Sequence, residues 1–370
     1  MATDSRMSGV EEFEARAREL LPAAGYGTHF GERGAVSWET NTNNLAAFER
    51  WVIRPRILSG VAAPDLTTSV LGQRSAPFLV APIGGQQRFH REGELATFAA
   101  AAEMGVTACL STMATFSIEE VAEAAPAGRR WFQAYVMRDR ELTRDLVQRA
   151  EAAGYETIVL TVDNISGHLA RPRRYRINGL SGPADVTWPA QEDHRVLANF
   201  RHLRGTPAMP PAALGDCFDG TFAWRDLAWL RSLTPLPIVL KGVQVAEDAV
   251  LAVEHGLDGI VVSNHGGVPA AMENLGSTLS RLPAIAEAVD GRLEIYLDGG
   301  IRRGADVLKA LALGARAVLL GRAVQWALAS GGKAGVMDLF ALMREELASA
   351  MCLAGLQNLD EISGAAVEPA

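Results

Sequence analysis

A histidine set between an asparagine and two glycines is the most reactive-looking feature of this chain: Ser263-Asn-His-Gly-Gly267 follows the apolar run Gly259-Ile-Val-Val262. Such a run reads as a buried parallel strand, which puts His265 on the loop just past its carboxyl end. The glycines let backbone and substrate come close to the imidazole, and an imidazole so placed is a candidate general base. A lone histidine of this kind is more often a turn residue, but the downstream sequence reverses that balance. The strand Glu294-Ile-Tyr-Leu-Asp298 runs into Asp298-Gly-Gly-Ile-Arg-Arg-Gly304, and the strand Ala317-Val-Leu-Leu320 ends in Gly321-Arg322. Two consecutive strands ending in glycine plus arginine suit a phosphate held by backbone N–H groups and a guanidinium fork.

Other strand ends carry polar groups as well. Pro82-Ile-Gly-Gly85 closes a first strand, Ser111 a second, Gln133 and Tyr135 a third, Thr161 and Asp163 a fourth, and Lys241 a fifth. Polar residues at successive carboxyl ends converge on one mouth if the strands form a barrel. Lys241 could instead be a surface lysine with its stem on the barrel, and Asp163 a turn cap. Beside His265, Asp163 would orient the imidazole and stabilise its charged form.

The elements that must position these groups alternate along the chain. Strands are expected at residues 78–82, 106–111, 130–135, 157–162, 237–241, 259–263, 294–298 and 317–321. Amphipathic segments lie between them, among them residues 93–104, 118–125, 141–153 and 245–255, with apolar residues at helical spacing. Eight βα repeats predict a closed (β/α)8 TIM barrel of the α/β class rather than an open sheet. The whole chain, residues 1–370, is expected to form one such domain. Residues 1–75 form an N-terminal extension with a helical opening at 10–21, expected to pack across the base or flank. Residues 164–225 form a long lid-like insertion after strand four, containing the basic run Arg171-Pro-Arg-Arg-Tyr-Arg176.

Composition fits a soluble enzyme. Of 370 residues, 48% are hydrophobic, enough for a large core, and no apolar run is long enough to span a bilayer. The acidic N-terminus is unlike a secretory signal, and Cys109, Cys217 and Cys352 lack metal-type spacing, so no metal is expected and the setting reads as cytoplasmic. A net charge of −8 argues against a nucleic-acid partner.

In Ser263-Asn-His-Gly-Gly267, Asp298-Gly-Gly-Ile-Arg-Arg-Gly304, Thr161-Val-Asp163 and Phe132-Gln-Ala-Tyr135, the chain resembles the FMN-dependent 2-hydroxy-acid oxidase and dehydrogenase family. The likeness runs from Arg54-Pro-Arg56 to Gly321-Arg322. It implies FMN as cofactor, His265 as the active-site base, Asp163 as its carboxylate partner and Tyr135 as a hydroxyl facing the substrate. It places Lys241 at the N1/C2 edge of the isoalloxazine. Pro82, Ile83, Gly84, Ser111, Gln133 and Thr161 would hold the ring. Ser263, Asp298, Gly300, Arg302, Gly321 and Arg322 would complete the cofactor site, the last residues taking the ribityl chain and phosphate. A homo-oligomer, by family habit a tetramer, is implied too.

The departures concern the substrate. After SNHGG the family carries an arginine that forks onto the substrate carboxylate, and here that position is Val268. A branched apolar residue cannot replace a bidentate cation. Ala170 stands near the place of a second family arginine, with Arg171, Arg173 or Arg174 as substitutes; Tyr26 is close to an N-terminal carboxylate-binding position, and Met113 replaces an aromatic residue. The expected reaction is therefore oxidation of an alcohol or amine carbon, with His265 taking a proton and electrons passing to flavin N5 and on to oxygen or another acceptor. The expected substrate is a specialised biosynthetic compound rather than a simple 2-hydroxy acid. The alternatives are an ordinary hydroxy-acid oxidase using the insertion's arginines, a Schiff-base lyase with Lys241 as nucleophile, and a flavin-binding protein without turnover.

Overall fold

Eight short, almost wholly buried strands close into a parallel barrel in the computed structural model, which describes residues 7–21, 38–163, 198–200, 217–267 and 275–370. They are β1 (Phe78–Ile83), β2 (Ala108–Ser111), β3 (Arg130–Ala134), β4 (Thr157–Thr161), β5 (Ile238–Val243), β6 (Gly259–Val262), β7 (Glu294–Asp298) and β8 (Ala317–Leu320). Each pairs in parallel with the next in sequence, and β8 pairs with β1. The expected strands thus all form, within one or two residues. The helices that follow them are α1 (Gly93–Glu103), α2 (Ile118–Ala124), α3 (Arg140–Ala152), α4 (Leu227–Arg231), α5 (Ala246–Glu254), α6 (Thr278–Val289), α7 (Gly304–Ala312) and α8 (Arg322–Ala354). Local sequence starts several of them: Ser117 and Glu120 form a capping box on α2, and Asp139 and Ser277 cap α3 and α6.

Strand alternation sorts the side chains into two sets. Facing inward is a layer of Leu79, Cys109, Trp131, Val159, Val239, Val261, Tyr296 and Leu319, with the Trp131 and Tyr296 rings edge to face at 5.3 Å. The intervening residues face the helices and join the main core. Two residues further along six strands lie Ser111, Gln133, Thr161, Lys241, Ser263 and Asp298, so the same alternation carries these side chains into the mouth above the apolar layer. Cys109 lies in that layer; burial pushes its thiol pKa up, and all three cysteines are free.

An antiparallel hairpin, Thr68–Val70 with Gln73–Ser75, closes the opposite end. Val70 joins the inward apolar layer, and the Leu71 N–H donates to both carboxylate oxygens of Glu294 at 3.0 Å. This part of the N-terminal extension does cover the base, as expected. The helix Trp38–Glu49 does not: it lies at the carboxyl-end face, where Asn44 meets Asn264 after β6 and Asn41 meets Arg322 after β8. Nothing in the helix's own pattern distinguishes one end of a barrel from the other. The helix Val10–Leu20 packs on α8, and Trp51–Ile53 pairs with Val367–Pro369 in a two-stranded ribbon. No helix among the described residues is long and apolar enough to cross a membrane.

α7 and α8 touch at Gly304, where a Cβ would stand 2.1 Å from the Leu347 nitrogen and 2.5 Å from the Glu346 carbonyl carbon. Backbone on both sides leaves no flexible atom to yield. Gly304→Ala should therefore cost about 1–3 kcal/mol through overpacking, seen as a fall of several degrees in the thermal midpoint; an unchanged melt would show that the helices separate freely.

Candidate active site

Ser263-Asn-His-Gly-Gly267 folds as a turn braced by its own side chains. Ser263 Oγ accepts the His265 N–H at 3.1 Å, Asn264 Oδ1 accepts the Gly266 N–H at 3.2 Å, and the Gly267 N–H reaches the Asn264 carbonyl at 2.9 Å. His265 is held at φ 55°, left-handed for a residue with a Cβ. Such conformations cost of order 1–3 kcal/mol and persist where surroundings enforce them. The enforcement here is a reciprocal carboxamide pair. Asn44 Nδ2 donates to Asn264 Oδ1 at 3.0 Å and Asn264 Nδ2 to Asn44 Oδ1 at 2.9 Å, both residues almost wholly buried.

The imidazole Nδ1 lies 2.8 Å from Asp163 Oδ1. With Nδ1–H donated to the carboxylate, Nε2 is left as the basic nitrogen. Burial favours protonation of Asp163, but the charges of His265 and Lys241 outweigh it and hold the carboxyl below its ordinary value. Asp163 reaches this place because Gly242, at a bulge between Lys241 and Val243 in β5 and with φ 118°, has no Cβ: one there would stand 2.7 Å from Asp163 Cβ.

Lys241 is 4% exposed. Its Nζ donates to Ser263 Oγ at 3.0 Å and lies 3.2 Å from Asp298 Oδ2, which accepts the same hydroxyl at 2.9 Å. Burial pulls the ammonium toward neutrality, yet the carboxylates of Asp298 and Asp163, with Tyr135, win and the net shift is upward. A Schiff-base lysine needs the opposite shift; the surroundings argue against that alternative.

The other expected residues that are described sit at or just past the carboxyl ends of the strands. Ser111 Oγ and the Thr112 N–H both donate to Gln133 Oε1 at 3.2 Å. Gly84 lies against Met113, where a Cβ would come within 3.0 Å of the Met113 Cβ, and the Gly85 N–H donates to the Met113 carbonyl at 2.9 Å, tying the Pro82-Ile-Gly segment to the end of β2. Thr161 is buried opposite Lys241 in the β4–β5 register. Gly300 is left-handed at φ 89° and backs onto Asn44. The Arg302 guanidinium lies over the Trp326 ring at 4.8 Å. Arg322 donates to Asn41 Oδ1 at 3.0 Å and to the Gly266 carbonyl at 2.9 Å, beside Gly321. Tyr135 stacks on Phe218 at 4.3 Å. Tyr26, Arg171, Arg173, Arg174 and Val268, like most of the insertion at 164–225, lie outside the described residues. Among the described residues no cluster could hold a metal ion.

Asn44, Asn41, Phe218 and Asn199 were not picked out from sequence. Each acts through a partner far along the chain, and no local spacing marks such a pair.

The chain matches the FMN-dependent dehydrogenase family over residues 17–369. It is 42% identical to human 2-hydroxyacid oxidase 1 over 360 residues, covering 96% of this chain and 95% of that protein. It is 44% identical to an L-lactate oxidase of Nostoc sp. over 365 residues, 95% of each. Solved structures of mandelate oxidase align along 98% of this chain and 99% of theirs; the one with (S)-4-hydroxymandelic acid does so at TM-score 0.80 and 36% identity.

Removing the cation should expose how tightly the buried charges depend on it. Lys241→Met should cost about 3–5 kcal/mol, the usual result of stranding buried carboxylates, and adding Asp298→Asn should recover part of that loss. Urea midpoints of the single and double variants measure this; a double variant no better than the single would mean that the pair is not the source.

Proposed function

This chain belongs to the FMN-dependent dehydrogenase family, and on that premise we propose that it oxidises the carbinol carbon of a 2-hydroxy-acid derivative, favouring substrates that are bulky or lack a free carboxylate. The observation that carries the reading is the His265–Asp163 pair, 2.8 Å apart, beside the buried Lys241 ammonium.

The mouth suits FMN by its unpaired polar atoms. Gln133 Nε2, Asp298 Oδ1 and Asp163 Oδ2 are buried without a hydrogen-bond partner, and such groups call for one. An amide donor and an ammonium in one mouth match the carbonyl edge of an isoalloxazine. A carboxylate acceptor next to the left-handed Gly299 and Gly300 matches a ribityl hydroxyl leading to phosphate. At Gly321 a Cβ would meet nothing within 4 Å, so the end of β8 is open. Pro82, Ile83, Gly84, Ser111, Gln133, Thr161, Lys241 and Ser263 would hold the ring, and Asp298, Gly300, Arg302, Gly321 and Arg322 the chain and phosphate.

When bound, FMN supplies a two-electron acceptor that is regenerated by oxygen or another oxidant. The protein's own part is to place and deprotonate the substrate. His265 Nε2 takes a proton, Asp163 stabilises the imidazolium that results, and the Tyr135 hydroxyl faces the reacting oxygen with its ring held by Phe218. Lys241 keeps a fixed positive charge in the mouth. Val268, in place of a clamp arginine, disfavours a bare carboxylate, because an unpaired charge in a dry site costs several kcal/mol. The likeness to mandelate oxidase structures is consistent with a bulkier substrate. A second reading, turnover of small 2-hydroxy acids with Arg171, Arg173 or Arg174 supplying the charge, is favoured by the names of the relatives.

His265→Ala should retain FMN yet slow anaerobic flavin bleaching by substrate about 10²- to 10⁴-fold; bleaching at the normal rate would place the base elsewhere. Steady-state kinetics on lactate, mandelate and their esters or amides separate the two readings. Poor lactate turnover that improves in Val268→Arg supports the first, and efficient lactate turnover lost on replacing one insertion arginine supports the second.

A further inference from the structure

A short piece of the insertion is anchored inside the barrel wall. Ala198–Phe200 forms one 3-10 turn whose three residues are all buried, Asn199 completely. Asn199 Oδ1 accepts the Ile118 N–H at the start of α2 at 2.9 Å. Its Nδ2 donates to the Thr112 carbonyl at 3.1 Å and reaches the Ser111 carbonyl at 3.5 Å. Its own carbonyl accepts Arg149 Nη1 of α3 at 2.7 Å, and Arg149 is itself paired with Glu119 at 2.8 Å.

The turn that Asn199 holds from outside is the turn that orients Gln133 from within. Thr112 donates its N–H and hydroxyl to the Gln133 carbonyl at 3.0 and 2.7 Å, and its N–H also reaches Gln133 Oε1 at 3.2 Å. Ser111 Oγ gives Oε1 its second hydrogen bond, also at 3.2 Å, and accepts the Met113 N–H at 3.1 Å. With both donors on Oε1, the carboxamide has one orientation, and Nε2 is the atom left buried without a partner. An unpaired buried amide donor with a fixed direction is a preorganised contact. Its direction depends on residues 111–113 staying in place. The Thr112 carbonyl, fully buried, takes its hydrogen bond from Asn199.

We propose that Asn199 is a positioning residue for the cofactor: by holding the Ser111–Met113 turn it aims Gln133 Nε2 at the flavin, and so ties the insertion after β4 to flavin binding. The proposal rests on the reading of Gln133 as a flavin contact. Asn199 touches neither substrate nor cofactor, and its effect passes through Gln133.

A double-mutant cycle on the full-length protein tests this, with FMN dissociation constants from fluorescence quenching and the flavin's visible absorption band and reduction potential as readouts. Asn199→Ala should weaken FMN about tenfold, the usual effect of misplacing one buried hydrogen bond, and shift the band and potential. In a Gln133→Leu background the same substitution should change FMN binding little, since the group it positions is gone. Asn199→Ser serves where the alanine variant does not fold. Gly314→Ala, before β8 at the opposite end of the barrel, where a Cβ would stand 2.5 Å from Ala286 Cβ, controls for general destabilisation and should leave the constant unchanged. Full additivity of Asn199→Ala and Gln133→Leu, or a normal constant in Asn199→Ala, overturns the inference while leaving Gln133 as a flavin contact. A normal constant in Gln133→Leu overturns it at its foundation.

Discussion

The ammonium of Lys241, taken out of water at the centre of the barrel mouth, sets the terms for the rest of the site. An isolated buried ammonium would lose its proton, so its charge survives only because Asp298 and Asp163 stand beside it and outweigh burial. That requirement reaches outward. Ser263 must present one hydroxyl to Lys241, Asp298 and the His265 N–H together. Gly242 must lack a Cβ so that Asp163 can approach. His265 must accept a left-handed backbone. Buried ion pairs of this kind are weak evidence for stability by themselves; their value here is a charge fixed in position before any substrate arrives.

Much of this could be read from the chain because strand alternation is rigid. Given Trp131, Val159, Val239, Val261 and Tyr296 as inward apolar residues, the positions two further along are Gln133, Thr161, Lys241, Ser263 and Asp298, and they must point the same way. A slip of one residue would turn every one of them toward the helices. The register is fixed by the apolar layer, so the mouth follows from the same pattern as the core. Glycine-rich strand ends completed the picture, since their freedom of backbone is itself a local signal.

What escaped the sequence is what no periodicity encodes. Asn44 and Asn264 are 220 residues apart, and an asparagine in the helix Trp38–Glu49 looks like any surface amide until its partner is known. The same holds for Asn199, whose neighbours in sequence give no sign that it enters the wall between β2 and α2. The N-terminal extension was expected to pack across the base or flank, but its helix Trp38–Glu49, not read from the sequence, lies at the carboxyl-end face; its residues state that it has a buried side but not where that side docks. Long-range polar pairs are invisible to local reading for the reason that makes them effective: two amides that satisfy each other fully in a dry place specify one arrangement and no other.

The charge balance of the mouth bears on which substrates it can hold. Asp163 and Asp298 contribute two negative charges against the one positive charge of Lys241, and His265 is neutral when it acts as a base. The Arg322 guanidinium, nearest to the catalytic turn, is already bonded to the Gly266 carbonyl and Asn41. Among the described residues, a carboxylate entering beside His265 would come close to Asp163, while Lys241 is already shared between Asp298 and Asp163 and the Arg322 fork, though still charged, is engaged by neutral partners. At an effective dielectric of about 20, two like charges 4 Å apart repel by roughly 4 kcal/mol, comparable to the binding free energy of a millimolar ligand. An ester, an amide or a larger apolar substituent avoids that cost and gains contact area instead. Val268, where the family carries an arginine, is in keeping with such a substrate, and an arginine supplied by the insertion would favour a charged one instead.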